Sequence, residues 1–224
     1  APIYKRGVLL PGNVFTVNPS RFLATLTELF LESGGQLVSG KVTGFEMDDT
    51  GPYAVRTEAA QLATRKIVVA AGAWSGRLAE QLGTRVPLEA ERGYHVTLPE
   101  ARVELRNKIM NGTHSFGMTP MEDGLQITGT VEIAGVDAAP NVHRANALLD
   151  HARRMLPGLN HAGASTWMGA RPSLPDSLPV VCRSPVFRDV FFAFGHSHWG
   201  LSGAPETGRI IAALINDREP PIDP

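Results

Sequence analysis

The sequence predicts an α/β chain, α+β overall, built from a partial Rossmann-like domain with an antiparallel sheet inserted into it. Three observations carry this. Two apolar runs, Ile67 to Ala71 and Val190 to Phe194, do not alternate, as in strands covered on both faces of a mainly parallel sheet. Each run meets a glycine and then a helical stretch. Between them, from Glu91 onward, the pattern turns to alternating strands, so the order is sheet with helices, antiparallel insert, and return to strand-loop-helix.

Taken in order, Asn18-Pro19 reads as N-cap and first helical residue. Phe22, Leu23, Leu26, Leu29 and Phe30 then recur on one face until Gly34-Gly35. Gln36 to Val38, Val42 to Met47 and Tyr53 to Thr57 read as short strands, the last two joined by a turn over Asp48 to Pro52. Lys66 to Gly72 is the first buried strand, and Ser75 to Leu82 the helix after it, stopped by Gly83. In the insert, Tyr94 to Leu98, His114 to Met118 and Leu125 to Ile133 read as strands, the last two joined through Glu122-Asp123-Gly124. Arg144 to Leu156 is an amphipathic helix ended by Pro157-Gly158. Trp167 to Pro185 reads as a loop-rich stretch with four prolines and Arg171 in its middle, and Gly195 to Gly203 leads into a last helix, Ala204 to Ile215.

Bulk composition narrows the partners. The 224 residues are 43% hydrophobic, and 21 Lys and Arg against 22 Asp and Glu leave a net charge of -1, which disfavours nucleic acid or an anionic membrane surface and favours a small molecule. The longest apolar stretch, Ile67 to Trp74, is far short of the roughly 18 residues that cross a bilayer. The single cysteine, Cys182, cannot pair within the chain, which fits a reducing compartment, and the expectation is a cytoplasmic protein. The chain opens without Met, at Ala1-Pro2-Ile3-Tyr4, a sign of truncation.

Chemistry is expected at the two glycine edges, Ala70-Ala71-Gly72-Ala73-Trp74 and Phe194-Gly195-His196-Ser197-His198-Trp199-Gly200. Glycines there let backbone N–H groups approach a phosphate or an electron-rich ring edge. The alternative is that they are turn residues only. No G-x-G-x-x-G occurs, so a complete dinucleotide site is excluded. Arg171 offers a planar fork suited to a carboxylate, against a structural pair with Asp176. His196 and His198 with Cys182 make a weak metal set, and no metal is expected. Met110, Met118 and Met121 read as core or pocket lining.

Three segments, in order and spacing, resemble one family: Val68 to Ser75 followed by Pro87 to Gly93, then Trp167 to Asp176, then Gly195 to Leu201. The family is the D-amino-acid oxidase superfamily of FAD-dependent oxidoreductases, which includes glycine oxidase, sarcosine oxidase and the small subunit of D-amino-acid dehydrogenase. The likeness runs from about Val14 to Pro221. It implies that residues 1–90 and 166–224 belong to an FAD-binding domain and residues 91–165 to a substrate-binding insert, with the N-terminal fingerprint unit missing.

The resemblance further implies hydride transfer from Cα of an amine or amino acid to flavin N5, the imine then hydrolysing to a 2-oxo acid and ammonia. No side-chain base is required if the amine binds neutral. Arg171 would clamp the substrate carboxylate. Val42, Gly72 and Ala73, with Ala71 and Trp74 beside them, would line the adenosine and pyrophosphate side. The backbone of Gly195, His196, His198, Trp199, Gly200 and Leu201 would face the flavin pyrimidine edge. Phe116 stands where related oxidases often carry a tyrosine, and His114, expected on the same face of that strand, could supply the lost polar contact. Arg171 and the turn at Gly195 are expected to face each other across one cleft. The rival expectation is a non-catalytic fragment that folds without FAD, its open sheet edges covered by a second copy or by the missing segment.

Overall fold

The computed structural model describes Tyr4 and residues 6–222; Ala1, Pro2, Ile3, Lys5 and the last two residues, on which the truncation and domain-end readings partly fall, lie outside the described residues. The chain divides into two compact units. The first comprises residues 1–37, 93–132 and 139–169, and the second residues 38–92, 133–138 and 170–224.

The first unit opens with helix α1 (Pro19–Glu32), started by Asn18, whose side chain accepts from Arg21 N at 2.8 Å. It bears the predicted apolar stripe, yet none of its residues is buried. Residues of this unit also make up most of a five-stranded sheet of order β6-β7-β8-β5-β9, from β5 (Glu89–Leu98), β6 (Ile109–Asn111), β7 (Phe116–Met121), β8 (Gly124–Ile133) and β9 (Ser165–Ser173), in which β6–β7 and β7–β8 pair antiparallel. Helix α3 (Val142–Met155) follows β8, capped by Asn141 accepting from His143 N. Its Ala145, Leu148 and Ala152 close a core with Tyr94, Val96 and Leu98 of β5, Phe116 and Met118 of β7, and Leu125 and Ile127 of β8. The β7–β8 turn needs Gly124: its φ is +131°, and a Cβ there would sit 2.3 Å from the Leu98 carbonyl oxygen.

The second unit holds two three-stranded sheets. One runs β1-β2-β3, from β1 (Val42–Asp48), β2 (Gly51–Thr57) and β3 (Gln61–Ala63), all antiparallel. The other runs β10-β11-β4, from β4 (Ile67–Val69), β10 (Val180–Arg183) and β11 (Val190–Phe194). A 3₁₀ turn (Gly72–Trp74) leads from β4 into α2 (Ser75–Gln81), and α4 (Gly200–Ile215) follows β11. Strand β11 is covered on both faces: Val190, Phe192 and Phe194 pack with Ile67, Val69, Ala79 and Leu82, while Phe191 packs with Ile210 and Ile211 of α4. This double burial is why its sequence does not alternate. No helix among the described residues is long and apolar enough to cross a membrane.

Several expectations change. Gln36 to Val38 forms no strand. Strand β4 is not covered on both faces, since Val68 is 39% exposed; β4 lies at the sheet edge with β11 as its neighbour. That sheet is mixed rather than mainly parallel, because β11 pairs parallel with β4 and antiparallel with β10. Trp167 to Pro185 holds more strand than a loop-rich stretch implies: the end of β9 and all of β10 lie within it, and Pro172 sits inside β9. Proline suggests a loop because it lacks an N–H, and a strand tolerates it at a sheet edge, where β9 stands. Helix α4 begins at Gly200, not Ala204. Gly203 N bonds Trp199 O at 2.8 Å, giving one turn upstream of Pro205.

Candidate active site

The two glycine edges and Arg171 all fall in the second unit, and elementary backbone geometry brings two of them together. β11 ends at Phe194, and Gly195 turns the chain with φ +88°. A Cβ at Gly195 would lie 2.7 Å from Leu174 Cδ1 and 3.4 Å from Val180 N, so both conformation and space require glycine. Ser197 is also left-handed, at φ +48°, and the turn closes with Trp199 N donating to His196 O at 2.8 Å. The end of β9 is laced to this turn. Ser197 N donates to Pro172 O at 2.9 Å, and the Ser173 and Ser197 hydroxyls bond at 3.1 Å. Arg171 is therefore a strand residue one position from a direct hydrogen bond to the turn. At that point the two elements adjoin rather than being parted by a cleft.

Arg171 is half-buried, and its Nη1 is a buried donor with no partner. Burial pulls its pKa down and the negative charge of Glu91 opposes this, but a guanidinium remains a cation at any ordinary pH. The expected alternative partner, Asp176, is engaged elsewhere, accepting from Leu178 N at 3.0 Å. Glu91 lies on β5, the neighbour of β9, and its Oε2 is 3.4 Å from His198 Nε2; it too is buried and makes no hydrogen bond. Sequence reasoning missed Glu91, Ser173 and Ser197. Glu91 stood inside the segment quoted for the family resemblance, but an acid in an alternating strand reads as solvent-facing.

His196 and His198 part company: His196 Nε2 contacts Thr207 Oγ1 at 2.8 Å, and burial lowers its pKa, whereas His198 sides with Glu91. Cys182 sits in β10 with its pKa raised by burial, and no group of three or more His, Cys, Asp or Glu among the described residues is placed to hold a metal. At the other edge, Gly72 has φ +55° with open space where a Cβ would be, so only its conformation favours glycine. Ala71 precedes the 3₁₀ turn, and Ala73 and Trp74 complete it. Trp74, Trp199 and Leu201 are all exposed, Trp199 at 71%. Gly200 and Leu201 open α4, and Val42 opens β1.

His114 and Phe116 belong to the first unit. His114 does not stand on the strand with Phe116: β7 begins at Phe116, and Ser115, at φ +51°, breaks the extended run between them. Both rings nonetheless stack on His151 of α3, at 4.4 Å and 5.9 Å between centroids. His151 Nδ1 is buried without a partner, and burial, with His114 beside it, lowers the His151 pKa. Of the methionines, Met118 is core, while Met110 and Met121 line surface grooves.

Comparison with known proteins identifies the family. Residues 1–214 match the DAO family model, described as FAD dependent oxidoreductase. A D-amino-acid oxidase of Bradyrhizobium diazoefficiens is 40% identical over 99% of this chain and 53% of its own length. A glycine oxidase of Pseudomonas aeruginosa is 31% identical over 99% of this chain and 61% of its own. The solved glycine oxidase of Geobacillus kaustophilus shares the fold with a TM-score of 0.77 at 22% identity, covering 89% of this chain and 54% of that one. The chain thus spans between half and two thirds of the length of these relatives. With nearly its whole length matched by the family model, the chain belongs to the DAO family of FAD dependent oxidoreductases.

Proposed function

We propose that this chain forms the substrate-clamping and flavin-edge part of an oxidoreductase that oxidises an amino acid or a related amine. The observation that carries the reading is Arg171: a half-buried guanidinium with an unfilled buried donor, held beside the Gly195 turn through the Pro172–Ser197 and Ser173–Ser197 bonds. A buried charge-assisted donor left open is costly, and a ligand carboxylate would fill it with a planar match.

The residues present suit part of an FAD. The left-handed glycines at 72 and 195 bring backbone close to a ligand, and Trp74, Trp199 and Leu201 leave apolar surface open beside both turns. Gly195 to Leu201 would meet the flavin pyrimidine edge with backbone, and Ala71, Gly72, Ala73 and Val42 would meet the adenosine and pyrophosphate side. When bound, the flavin supplies the acceptor for the hydride that leaves substrate Cα. Arg171 fixes the carboxylate, which sets the direction of the Cα–H bond, and the turn at Gly195 holds Arg171 in place.

Arg171→Ala, in the flavin-loaded protein, is expected to raise the Michaelis constant for a carboxylate substrate by about 100-fold, the loss of one charge-assisted pair. An unchanged constant discards the clamp.

A second reading has its own support. The chain has no G-x-G-x-x-G, the glycine turn that receives a dinucleotide pyrophosphate, as expected of a part that folds without holding FAD. The purified 224-residue chain is then colourless; a visible flavin band that survives gel filtration removes this reading.

A further inference from the structure

Beside Arg171 lies a charge that the carboxylate clamp does not use. Glu91, on β5, and Arg171, on the adjacent β9, each keep one buried polar atom unsatisfied, Oε2 and Nη1 respectively. They form no ion pair with each other, yet the charge of Glu91 acts on Arg171. The Glu91 side chain is 27% exposed, and His198 Nε2 lies 3.4 Å from its Oε2, an ion pair when the imidazole is protonated but one without hydrogen-bond geometry. The group therefore lacks one acceptor, at the guanidinium, and one donor, at the carboxylate.

A ligand that arrives with both a carboxylate and an ammonium can supply the two together, the ammonium giving up one proton to solvent before a hydride leaves Cα. A bare carboxylate supplies only the first, and sets a second negative charge near Glu91 in a partly desolvated place, where like charges repel more strongly than in water. Resting on the reading of Arg171 as carboxylate clamp, we propose that Glu91 is a specificity-determining residue: it makes the site select zwitterionic amino acids over carboxylates that lack a cationic nitrogen. It does so by a favourable contact to the cation and by repulsion of the competitor, the two routes by which a site discriminates.

The test uses glycine and acetate, which differ by the ammonium group alone, on the flavin-loaded protein. Dissociation constants come from perturbation of the flavin absorption spectrum: at equilibrium for acetate, and for glycine from the anaerobic reduction amplitude and rate against concentration. Unaltered protein should bind glycine at least about tenfold more tightly than acetate, the worth of one modest charge contact. Glu91→Gln should weaken glycine and tighten acetate, so that the preference shrinks by about tenfold or reverses. Glu91→Asp, which keeps the charge, should retain the preference.

Equal binding of the two ligands by the unaltered protein overturns the proposal without any variant, so a Glu91→Gln protein that fails to load flavin does not shelter it. A preference that stays within twofold in Glu91→Gln also overturns it. Arg171→Lys separates the two readings. If Arg171→Lys weakens both ligands while Glu91→Gln leaves the preference intact, only the present inference falls. If Arg171→Lys changes neither, the clamp falls and this inference with it.

Discussion

Helices α1 and α3 are each 14 residues long, each starts at an asparagine whose side chain accepts from a backbone N–H, and each carries an apolar stripe. In α3 the stripe is used: Ala145, Leu148 and Ala152 are buried against three strands. In α1 it is not. Phe22, Leu23, Leu26, Leu29 and Phe30 are all exposed, and the helix start is fastened by polar bonds at its rim. Glu122 receives Asn18 Nδ2 at 2.9 Å and pairs with Arg21, and Glu122 N donates to Val17 O at 3.1 Å. The difference teaches that amphipathic spacing states a demand for cover and is silent about what meets it.

That contrast can be broken by substitution. The largest effect is expected from Leu148→Ala, at 1% exposure, which removes methyl groups from a closed core and should cost about 3 kcal/mol, read as a lowered urea midpoint. A smaller effect is expected at the caps. Asn141→Ala should cost about 1 kcal/mol in the same measurement, because α3 is part of the core. Asn18→Ala should instead leave the midpoint in place and speed amide exchange in α1 alone, since an element without buried residues opens by itself. The smallest is Leu26→Ala, at 47% exposure, expected within about 0.5 kcal/mol of the parent. A cost for Leu26→Ala comparable with that for Leu148→Ala would show that the α1 stripe is covered in solution and would erase the comparison.

The same lesson recurs in strands. The runs ending at Val69 and Phe194 look alike in sequence, yet β11 has helix on one face and strands and α2 on the other, while β4 has β11 on one side and leaves Val68 open. Four prolines between Trp167 and Pro185 argued for a loop around Arg171; the ladder accommodates Pro172 in an edge strand, and its freed carbonyl receives Ser197 N. His114 was expected to share the strand face of Phe116, and a left-handed Ser115 prevents it, while the ring of His151 reunites the two by stacking. The candidate site was partly legible. Arg171 and the Gly195 turn stand out by residue type, whereas Glu91 acquires meaning only from the neighbour that sheet pairing gives it.

By itself the sequence determined that the helices exist and that Asn18 caps the first, the alternating strands after Glu91, the two glycine edges and the family, because these rest on local spacing and on residue types whose backbone demands are strong. The tertiary structure alone decided which apolar faces are covered, that Arg171 is a strand residue laced to the turn at Gly195, and that Glu91 and His198 share its surroundings. Burial and charge pairing depend on residues far apart in the chain, and strand pairing sets them.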